Sequence, residues 1–214
     1  MTKPVIRCNV VLVNVKAPPR AYRMDARAAA AKATRERILD IAYTQFLERW
    51  YDEVTLRDLA QEAGVALQTV VNHFGTKENL FFTVAERFSA SIAETRGGVQ
   101  PDDIAGVAAA LVADYEQTGD TNLRMLALEE RVPAVAEGLA SGRRIHREWV
   151  ERMFPTALSN LRGARRRRCL AELLTITDVL TWKLLRRDHG LSRAQTADAM
   201  RELLEAVHDH HKES

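Results

Sequence analysis

The sequence predicts an all-α fold, and two observations carry that prediction. Residues 55–80 contain two short amphipathic helices joined by a glycine-marked turn, followed by the start of a third helix. Beyond them, apolar residues recur at helical spacing between glycines. Helices are predicted over 81–95, 102–117, 121–131, 133–154, 165–188 and 192–208. Of the 214 residues, 46% are hydrophobic, which is enough for a buried core.

A first helix is predicted to precede this motif. Thr34 can cap it, and Ile38, Ile41, Ala42 and Phe46 follow at helical spacing, so the helix is expected to begin near Thr34. Its apolar face would bury the back of the two short helices. Together the three helices form the first predicted domain, residues 32–80.

The two short helices are each justified by local residues. Thr55 can cap the first of them in a capping box with Asp58, and Gly64 ends it where a left-handed backbone is needed. In the second helix Val70 and Phe74 face inward. The outward and marginal positions are Leu67, Gln68, Thr69, Val71, Asn72 and His73. An outward face of this size fits the major groove of DNA.

The stretch from about residue 35 to 88 resembles the DNA-binding domain of the TetR (tetracycline-repressor) family of bacterial regulators. The resemblance is carried by TLRDLAQEAGV, TVVNHF and TKENLF, in that order. It implies an all-α homodimer with an N-terminal three-helix helix-turn-helix domain and a helical effector-binding and dimerisation domain, residues 81–211. The implied function is ligand-responsive transcriptional regulation, as a repressor that binds a palindromic operator in double-stranded DNA. An activator and an effector-free DNA-architectural factor remain alternatives.

Carried over position by position, the resemblance assigns DNA contacts to this motif. Thr55 would contact a phosphate, and Arg57 a base edge or a phosphate. Gln68 and Asn72 are the predicted adenine readers, because a carboxamide matches the edge of adenine. The other base-facing positions are Leu67, Thr69 and Val71, and the backbone contacts are His73 and Lys77. The chain departs from the family at Ala66 and Val71, which removes a cap and a phosphate-binding hydroxyl.

Large apolar residues on the body helices are candidates for an effector pocket. They are Tyr115, Met125, Leu128, Trp149, Met153, Phe154 and Trp182. The same residue types fill cores, so each is also a core candidate. The effector is an unidentified small molecule, and no cofactor is implied.

The last two predicted helices form a hairpin. Gly190 ends the first, and Ser192 with Gln195 makes a capping box for the second. In the family such a pair forms the dimer interface. The candidates are Leu173, Ile176, Leu180, Leu184, Met200, Leu203, Leu204 and Val207. The alternative is that these residues serve the core of one chain.

Residues 1–31 share no period with the helices that follow. They are predicted to be a disordered arm or the product of a mis-assigned start, with translation beginning at Met24. The functional alternative is a basic arm, carrying Lys16, Arg20, Arg23 and Arg27, that reaches the minor groove.

The sequence disfavours an enzyme, because it contains no complete set of catalytic residues. His146, Glu148 and Glu151 occur together, and histidines 208, 210 and 211 cluster near the end, but neither set includes a nucleophile with its base. His208 and His211 could share a metal, although tail histidines are usually solvated. Cys8 and Cys169 fit no metal spacing or disulfide framework, which suits a reducing cytoplasm. The sequence predicts no membrane span.

Overall fold

The computed structural model describes residues 20–212, which form ten α-helices and contain no strand. The predicted all-α fold is therefore confirmed. The helices are α1 Arg20–Glu48, α2 Leu56–Glu62, α3 Leu67–Phe74, α4 Lys77–Arg96, α5 Ile104–Leu128, α6 Pro133–Met153, α7 Pro155–Ser159, α8 Gly163–Ile176, α9 Val179–Lys183 and α10 Arg193–Lys212. The chain divides into two compact units, residues 1–36 and 37–214.

In the first unit, α1 begins at Arg20, so the predicted start near Thr34 is wrong. The run RAAAAKA at 27–33 explains the earlier start, because alanine has the highest helix propensity of any residue. Met24 therefore lies inside a helix, as do the backbones of Arg20 and Arg23. Residues 1–19, including Lys16, lie outside the described residues. The boundary between residues 31 and 32 stays a prediction.

The second unit begins with the rest of α1 and the two short helices. Thr55 caps α2, since its hydroxyl oxygen accepts a hydrogen bond from the Asp58 amide at 3.1 Å. Gly64 has φ of +64°, the left-handed conformation that the turn requires. Val70 and Phe74 of α3 are buried in a head cluster that also holds apolar residues of α1, α2 and α4. This packing fixes the angle at which α3 leaves α2.

The helices α5 to α10 form the body of the protein, and α1 to α4 form its head. The body is centred on α5, which runs unbroken from Ile104 to Leu128. The predicted break at Gly119 is wrong, because this glycine serves packing and not a turn. A Cβ atom at Gly119 would overlap the six-membered ring of Trp182. Trp182 also donates a hydrogen bond from Nε1 to Glu116 Oε1 at 3.2 Å. The missing side chain therefore lets α9 lie close against α5.

The predicted helix 165–188 is interrupted at Thr177 and Asp178. Thr177 Oγ1 donates to the Leu173 carbonyl at 2.8 Å, and Asp178 Oδ1 accepts from the Leu180 amide at 2.8 Å. Short polar side chains that bond to the backbone in this way compete with the helix and end it. A turn of π-helix, Leu184–Asp188, follows α9.

The hairpin into α10 follows its prediction. The Ser192 amide donates to Gln195 Oε1 at 2.9 Å, and the Gln195 amide donates to Ser192 Oγ at 3.2 Å. Both bonds of the predicted capping box are therefore confirmed. Gly190 has φ of +70°, as expected of a residue that ends a helix.

Two hydrophobic clusters hold the second unit together. The body cluster draws on α5 to α10. The head cluster extends from α1 to α4 and also includes Met125, Leu128 and Val135, which come from α5 and α6. Apolar residues of the body therefore form part of the core of the helix-turn-helix.

Candidate nucleic-acid interface and internal cavity

The outer face of α3 is the candidate nucleic-acid interface. Val70 is fully buried and Phe74 is nearly so, which fixes the inner face. Leu67 is 41% exposed, and Gln68 and Asn72 are also exposed. The side chains at 69, 71 and 73 are half-buried at the margins. This is the orientation that the spacing predicts, and the DNA-contact roles themselves stay predictions.

The two predicted adenine readers are bonded to each other. Gln68 Nε2 donates to Asn72 Oδ1 at 2.9 Å, along one turn of α3. The bond holds both carboxamides on the same exposed strip. It leaves the Asn72 amino group as a donor and the Gln68 oxygen as an acceptor, the two functions that adenine pairs with in the major groove.

Three further predicted DNA contacts lie on α2 and α4. The Thr55 oxygen accepts from the Asp58 amide, so its hydroxyl hydrogen can still donate to a phosphate. Arg57 is exposed on α2. Lys77, the first residue of α4, places its ammonium 4.1 Å from the centre of the Tyr51 ring. This contact holds the ammonium beside the start of α4.

The surroundings of Lys77 shift the pKa of its ammonium group. Burial lowers the pKa of Lys77, and the nearby carboxylates of Asp52 and Glu78 oppose that shift. Tyr51 is buried and stacks on Phe46 with ring centres 5.8 Å apart, and burial raises the pKa of Tyr51 to about 12. The aromatic platform under Lys77 is therefore part of the head core.

A cavity of about 320 Å³ lies in the second unit, lined mainly by α4, α5 and α6. Its wall includes three of the predicted pocket residues, Tyr115, Met125 and Trp149. The other four predicted pocket residues lie outside the wall, in the buried clusters: Leu128, Met153, Phe154 and Trp182. Volumes of this size suit a small organic ligand.

Sequence reasoning did not select several residues of the wall. Phe81, Phe88 and Ile92 lie on one face of α4 and line the cavity. Arg96 and His146 are the polar residues that sequence reasoning passed over for this role. The sequence offers little indication of this role, because a single Arg or His on a helix is usually solvated.

A buried polar network crosses the cavity wall. Arg96, 7% exposed, forms an ion pair with Asp114, 3% exposed, and its Nε donates to Asp114 Oδ2 at 3.0 Å. Arg96 Nη1 lies 3.1 Å from His146 Nδ1, and His146 Nε2 lies 3.0 Å from Thr177 Oγ1. Tyr115 donates its hydroxyl to the Thr177 carbonyl at 2.7 Å. The network joins α4, α5, α6 and the junction of α8 with α9.

The network requires a neutral His146. Burial, and then the charge of Arg96, lowers the pKa of His146 to about 3. Arg96 can only donate, so His146 Nδ1 accepts, and Nε2 then carries the hydrogen that faces Thr177. Burial also raises the pKa of Tyr115, which keeps that hydroxyl protonated.

Two glycines on α6 face this cavity. Gly138 and Gly142 lie one turn apart inside the helix, where glycine costs about 0.5–1 kcal/mol relative to alanine. A Cβ atom at Gly138 would lie 3.1 Å from Phe81 Cε1, whereas one at Gly142 would meet no atom within 4 Å. Gly138 therefore makes room for an aromatic ring, and Gly142 borders open space.

The predicted dimer residues separate into two groups. Leu173, Met200 and Leu204 are fully buried in the body core. Ile176 and Val207 are half-buried and pack against that core. The other three are exposed: Leu180 by 49%, Leu184 by 51% and Leu203 by 46%. These exposed leucines are the part of the predicted set that a partner subunit could cover.

The histidine clusters have structural partners. His211 is buried, and its Nε2 lies 2.8 Å from Glu172 Oε2, which ties α10 to α8. His208 is also buried, contrary to the expectation of solvated tail histidines. Glu151 forms ion pairs with Arg147 and Arg166. Within residues 20–212, no group of three or more His, Cys, Asp or Glu could hold a metal ion.

None of the described helices is long and apolar enough to span a membrane. The geometry thus defines a class: an all-α protein with an exposed helix-turn-helix and a cavity whose wall includes part of the helix-turn-helix core. Comparison with known proteins shows which family the helix-turn-helix region resembles. Residues 38–84 match the family of bacterial regulatory proteins named tetR. The helix-turn-helix region of the chain is therefore similar to that of the TetR family.

Individual relatives agree with this assignment. The transcriptional repressor AcnR of Corynebacterium efficiens is 30% identical over 92 residues, which cover 43% of this chain and 47% of AcnR. The chain thus matches about half the length of this curated relative. AcnR is a regulator and not an enzyme.

Two solved structures share the fold. One is from Streptomyces coelicolor A3(2) and is described as a transcriptional regulator; it is 26% identical, with 80% of this chain and 98% of that chain covered and a TM-score of 0.58. The other, from Saccharomonospora viridis, was solved in complex with choline. It is 15% identical, with 81% of this chain and 96% of that chain covered and a TM-score of 0.61.

Proposed function

We propose that the chain is a cytoplasmic repressor that binds a palindromic operator as a homodimer and is released from it by a small-molecule effector. The observation that carries the proposal is the outer face of α3, where Gln68 and Asn72 are exposed, bonded to each other and backed by the buried Val70 and Phe74. The repressor activity of AcnR supports the direction of regulation.

DNA recognition would place α3 in the major groove. Gln68 and Asn72 would read base edges there, while the Thr55 hydroxyl and the Lys77 ammonium would grip the phosphates on either side. The net charge of the chain is only +2, so its affinity for DNA has to come from such locally placed groups. In a two-fold dimer the heads would enter successive major grooves about 34–36 Å apart, or a multiple of that distance.

A bound effector would contact the part of the cavity wall that the head and the body share. Phe46, Phe81 and Met125 line the cavity and also belong to the head cluster. A ligand that displaced these rings would shift the core on which α3 rests. In addition, α4 is roughly 30 Å long and runs from Lys77 at the DNA side to Arg96 in the polar network. Both routes would change the angle between the two heads of a dimer.

Selection of binding sites from fragmented genomic DNA tests the proposal, and Gln68→Ala gives the sharpest prediction. We expect the wild-type protein to enrich a short palindrome. Gln68→Ala should relax one base position in each half-site, with a loss of discrimination of about 1–3 kcal/mol. The preference is measured by competition between operator variants.

Lys77→Ala is the matched comparison for Gln68→Ala. It should weaken binding to all sequences alike and reduce the slope of log K against log salt by about 0.9. Lys183→Ala, which removes a lysine paired with Asp188 in the body, should change neither property. An equal loss on every sequence for Gln68→Ala would contradict its reading role. Absence of salt-sensitive binding to any DNA would reject the regulator itself.

Dimerisation is tested at the exposed leucines. The double variant Leu184→Glu, Leu203→Glu places two charges on the surface that a partner would bury, so we expect the dissociation constant of the dimer to rise at least about tenfold, since each 1.4 kcal/mol is a factor of ten. Sedimentation equilibrium measures it. Leu67→Glu, an exposed leucine on α3, is the control and should leave the dimer intact. An unchanged dimer in the double variant would place the interface elsewhere.

A further inference from the structure

The cavity wall at Gly142 borders open space. Gly142 lies inside α6, its backbone adopts the ordinary helical conformation, and the space where its side chain would lie is empty. No neighbouring group needs this position to be glycine, in contrast to Gly138, which accommodates Phe81. Gly142 is exposed and lines the open side of the cavity, so the absence of a side chain there widens the cavity and serves no packing contact among the described residues.

The wall of the cavity has no net charge to offer a ligand. Arg96 is paired with Asp114, and Arg143 is paired with Glu129 through a bond of 2.6 Å from Nη2 to Oε2. The remaining charged lining residues are Arg152 and Asp178, which carry opposite charges. An anion bound to Arg96 would bring a second negative charge close to the buried carboxylate of Asp114, and like charges at a buried site repel each other.

Cations are disfavoured for a separate reason. Among the aromatic residues of the wall, Trp149 offers the face that attracts an ammonium group most strongly, and Tyr115 lies beside the same guanidinium. The guanidinium of Arg96 already lies over them, 4.9 Å from the Trp149 ring centre and 5.7 Å from that of Tyr115. A quaternary ammonium such as the choline bound by the Saccharomonospora viridis protein would compete with a fixed positive charge.

Arg96 does offer hydrogen-bond donors. A guanidinium has five N–H groups. Among the described residues, two of them point toward Asp114 and one toward His146, and Arg96 also forms a side-chain hydrogen bond with Tyr115. The remaining N–H group belongs to Nη1 or Nη2 of a side chain that lines the cavity. A neutral acceptor, such as a carbonyl or ether oxygen, can take it without disturbing the ion pair.

We infer that the cavity binds an uncharged, mainly apolar small molecule that carries a hydrogen-bond acceptor, with its apolar part against Gly142 and its acceptor on Arg96. The inference rests on the proposed effector role and specifies the chemistry of that ligand. It concerns the free protein and requires no DNA.

Four probes of similar size test the charge and the acceptor separately. They are 2-acetylnaphthalene, which is neutral with an acceptor, naphthalene, 2-naphthoate and (2-naphthylmethyl)trimethylammonium. Binding to the full chain is followed by titration calorimetry and by the thermal shift. We expect the ketone to bind at least tenfold more tightly than the anion and the cation, and more tightly than naphthalene. Tighter binding of either ion, or no binding of the ketone at 1 mM, would overturn the inference.

A variant at Gly142 locates the ligand. Gly142→Leu should fill the open space, raise the melting temperature and weaken ketone binding at least tenfold. Ala140→Leu, on the exposed side of the same helix, is the matched control and should bind the ketone like the wild type. If Gly142→Leu misfolds, as judged by circular dichroism, Gly142→Ala gives a graded test in the same direction. Unchanged ketone binding in folded Gly142 variants would overturn the placement.

The outcome is separable from that of the proposed function. Ketone binding that Gly142→Leu removes, in a protein that binds no DNA, would support this inference and reject the repressor. Enrichment of an operator together with preferred binding of an ion would support the repressor function and reject this inference. Release of operator DNA by the ketone, lost in Gly142→Leu, would support both.

Discussion

Replacing Asp114 by asparagine should lower the free energy of unfolding by about 3–5 kcal/mol, because it leaves the charge of Arg96 buried without a counter-charge. Asp114 accepts from Arg96 Nε at 3.0 Å and also from Thr118 Oγ1 at 3.1 Å, so the substitution disturbs two contacts. Since small proteins are stable by only about 5–15 kcal/mol, much of the total would be lost. Chemical denaturation followed by circular dichroism measures the difference.

Asp120→Asn is the matched control for this prediction. Asp120 lies on the same helix and forms an ion pair with Arg187 at 3.2 Å, but both side chains are largely exposed. Exposed pairs contribute about 0–1 kcal/mol, so the control should be nearly neutral. The double variant Arg96→Met, Asp114→Leu should recover most of the lost stability, because both charges are then absent. Equal effects of Asp114→Asn and Asp120→Asn would contradict the role of the buried pair.

The helix-turn-helix could be predicted because its determinants are local. The Thr55 cap, the left-handed Gly64 and the inward pair Val70 and Phe74 all lie within about twenty residues of one another, and each follows from backbone chemistry or helical period. The capping box of Ser192 with Gln195 could be predicted for the same reason. In both places the chemistry of a few neighbouring residues decides the conformation, and the sequence was sufficient to predict it.

The three helix boundaries that the sequence did not predict have different causes. The spacing of the sequence predicts a helix end at Gly119, but the need for glycine there comes from Trp182, which lies far along the chain. The alanine-rich start of α1 was read as an arm, because helical propensity without an apolar face gives no periodic signal. The interruption at Thr177 rests on two side chains that bond to the backbone, a choice that sequence alone leaves open.

The cavity wall was beyond sequence for a similar reason. Three of its residues, Tyr115, Met125 and Trp149, were among the pocket candidates, yet nothing in the sequence separates them from the buried Phe154 or Trp182. Apolar residues of the same type serve both purposes, and only the packing of the helices assigns them. The polar residues of the wall could not be predicted, because they are buried through hydrogen bonds between different helices. Residue type alone does not indicate such bonds.

Acidification should destabilise the protein through His146. The pKa of this residue is about 3 in the folded protein, because of burial and the charge of Arg96, against an ordinary value near 6.5 in the unfolded chain. The unfolded state therefore binds a proton between these values that the folded state does not. Stability that is present above pH 6.5 is lost as the pH falls toward 3, at up to about 1.4 kcal/mol per pH unit.

Urea denaturation at intervals between pH 7 and pH 4 measures this slope, and His146→Gln isolates it. Gln cannot titrate, so the variant should be less stable than the wild type at pH 7, where it lacks the imidazole contacts, and the difference should narrow as the pH falls. The charged groups facing this site, Arg96, Asp114 and Asp178, are the same in both proteins, so their own titration largely cancels in the comparison. His189→Gln, at an exposed position, is the control and should keep the wild-type slope. Parallel pH profiles for the wild type and His146→Gln would mean that His146 binds its proton equally well in the folded and unfolded states, and would contradict a lowered pKa of His146 in the folded protein.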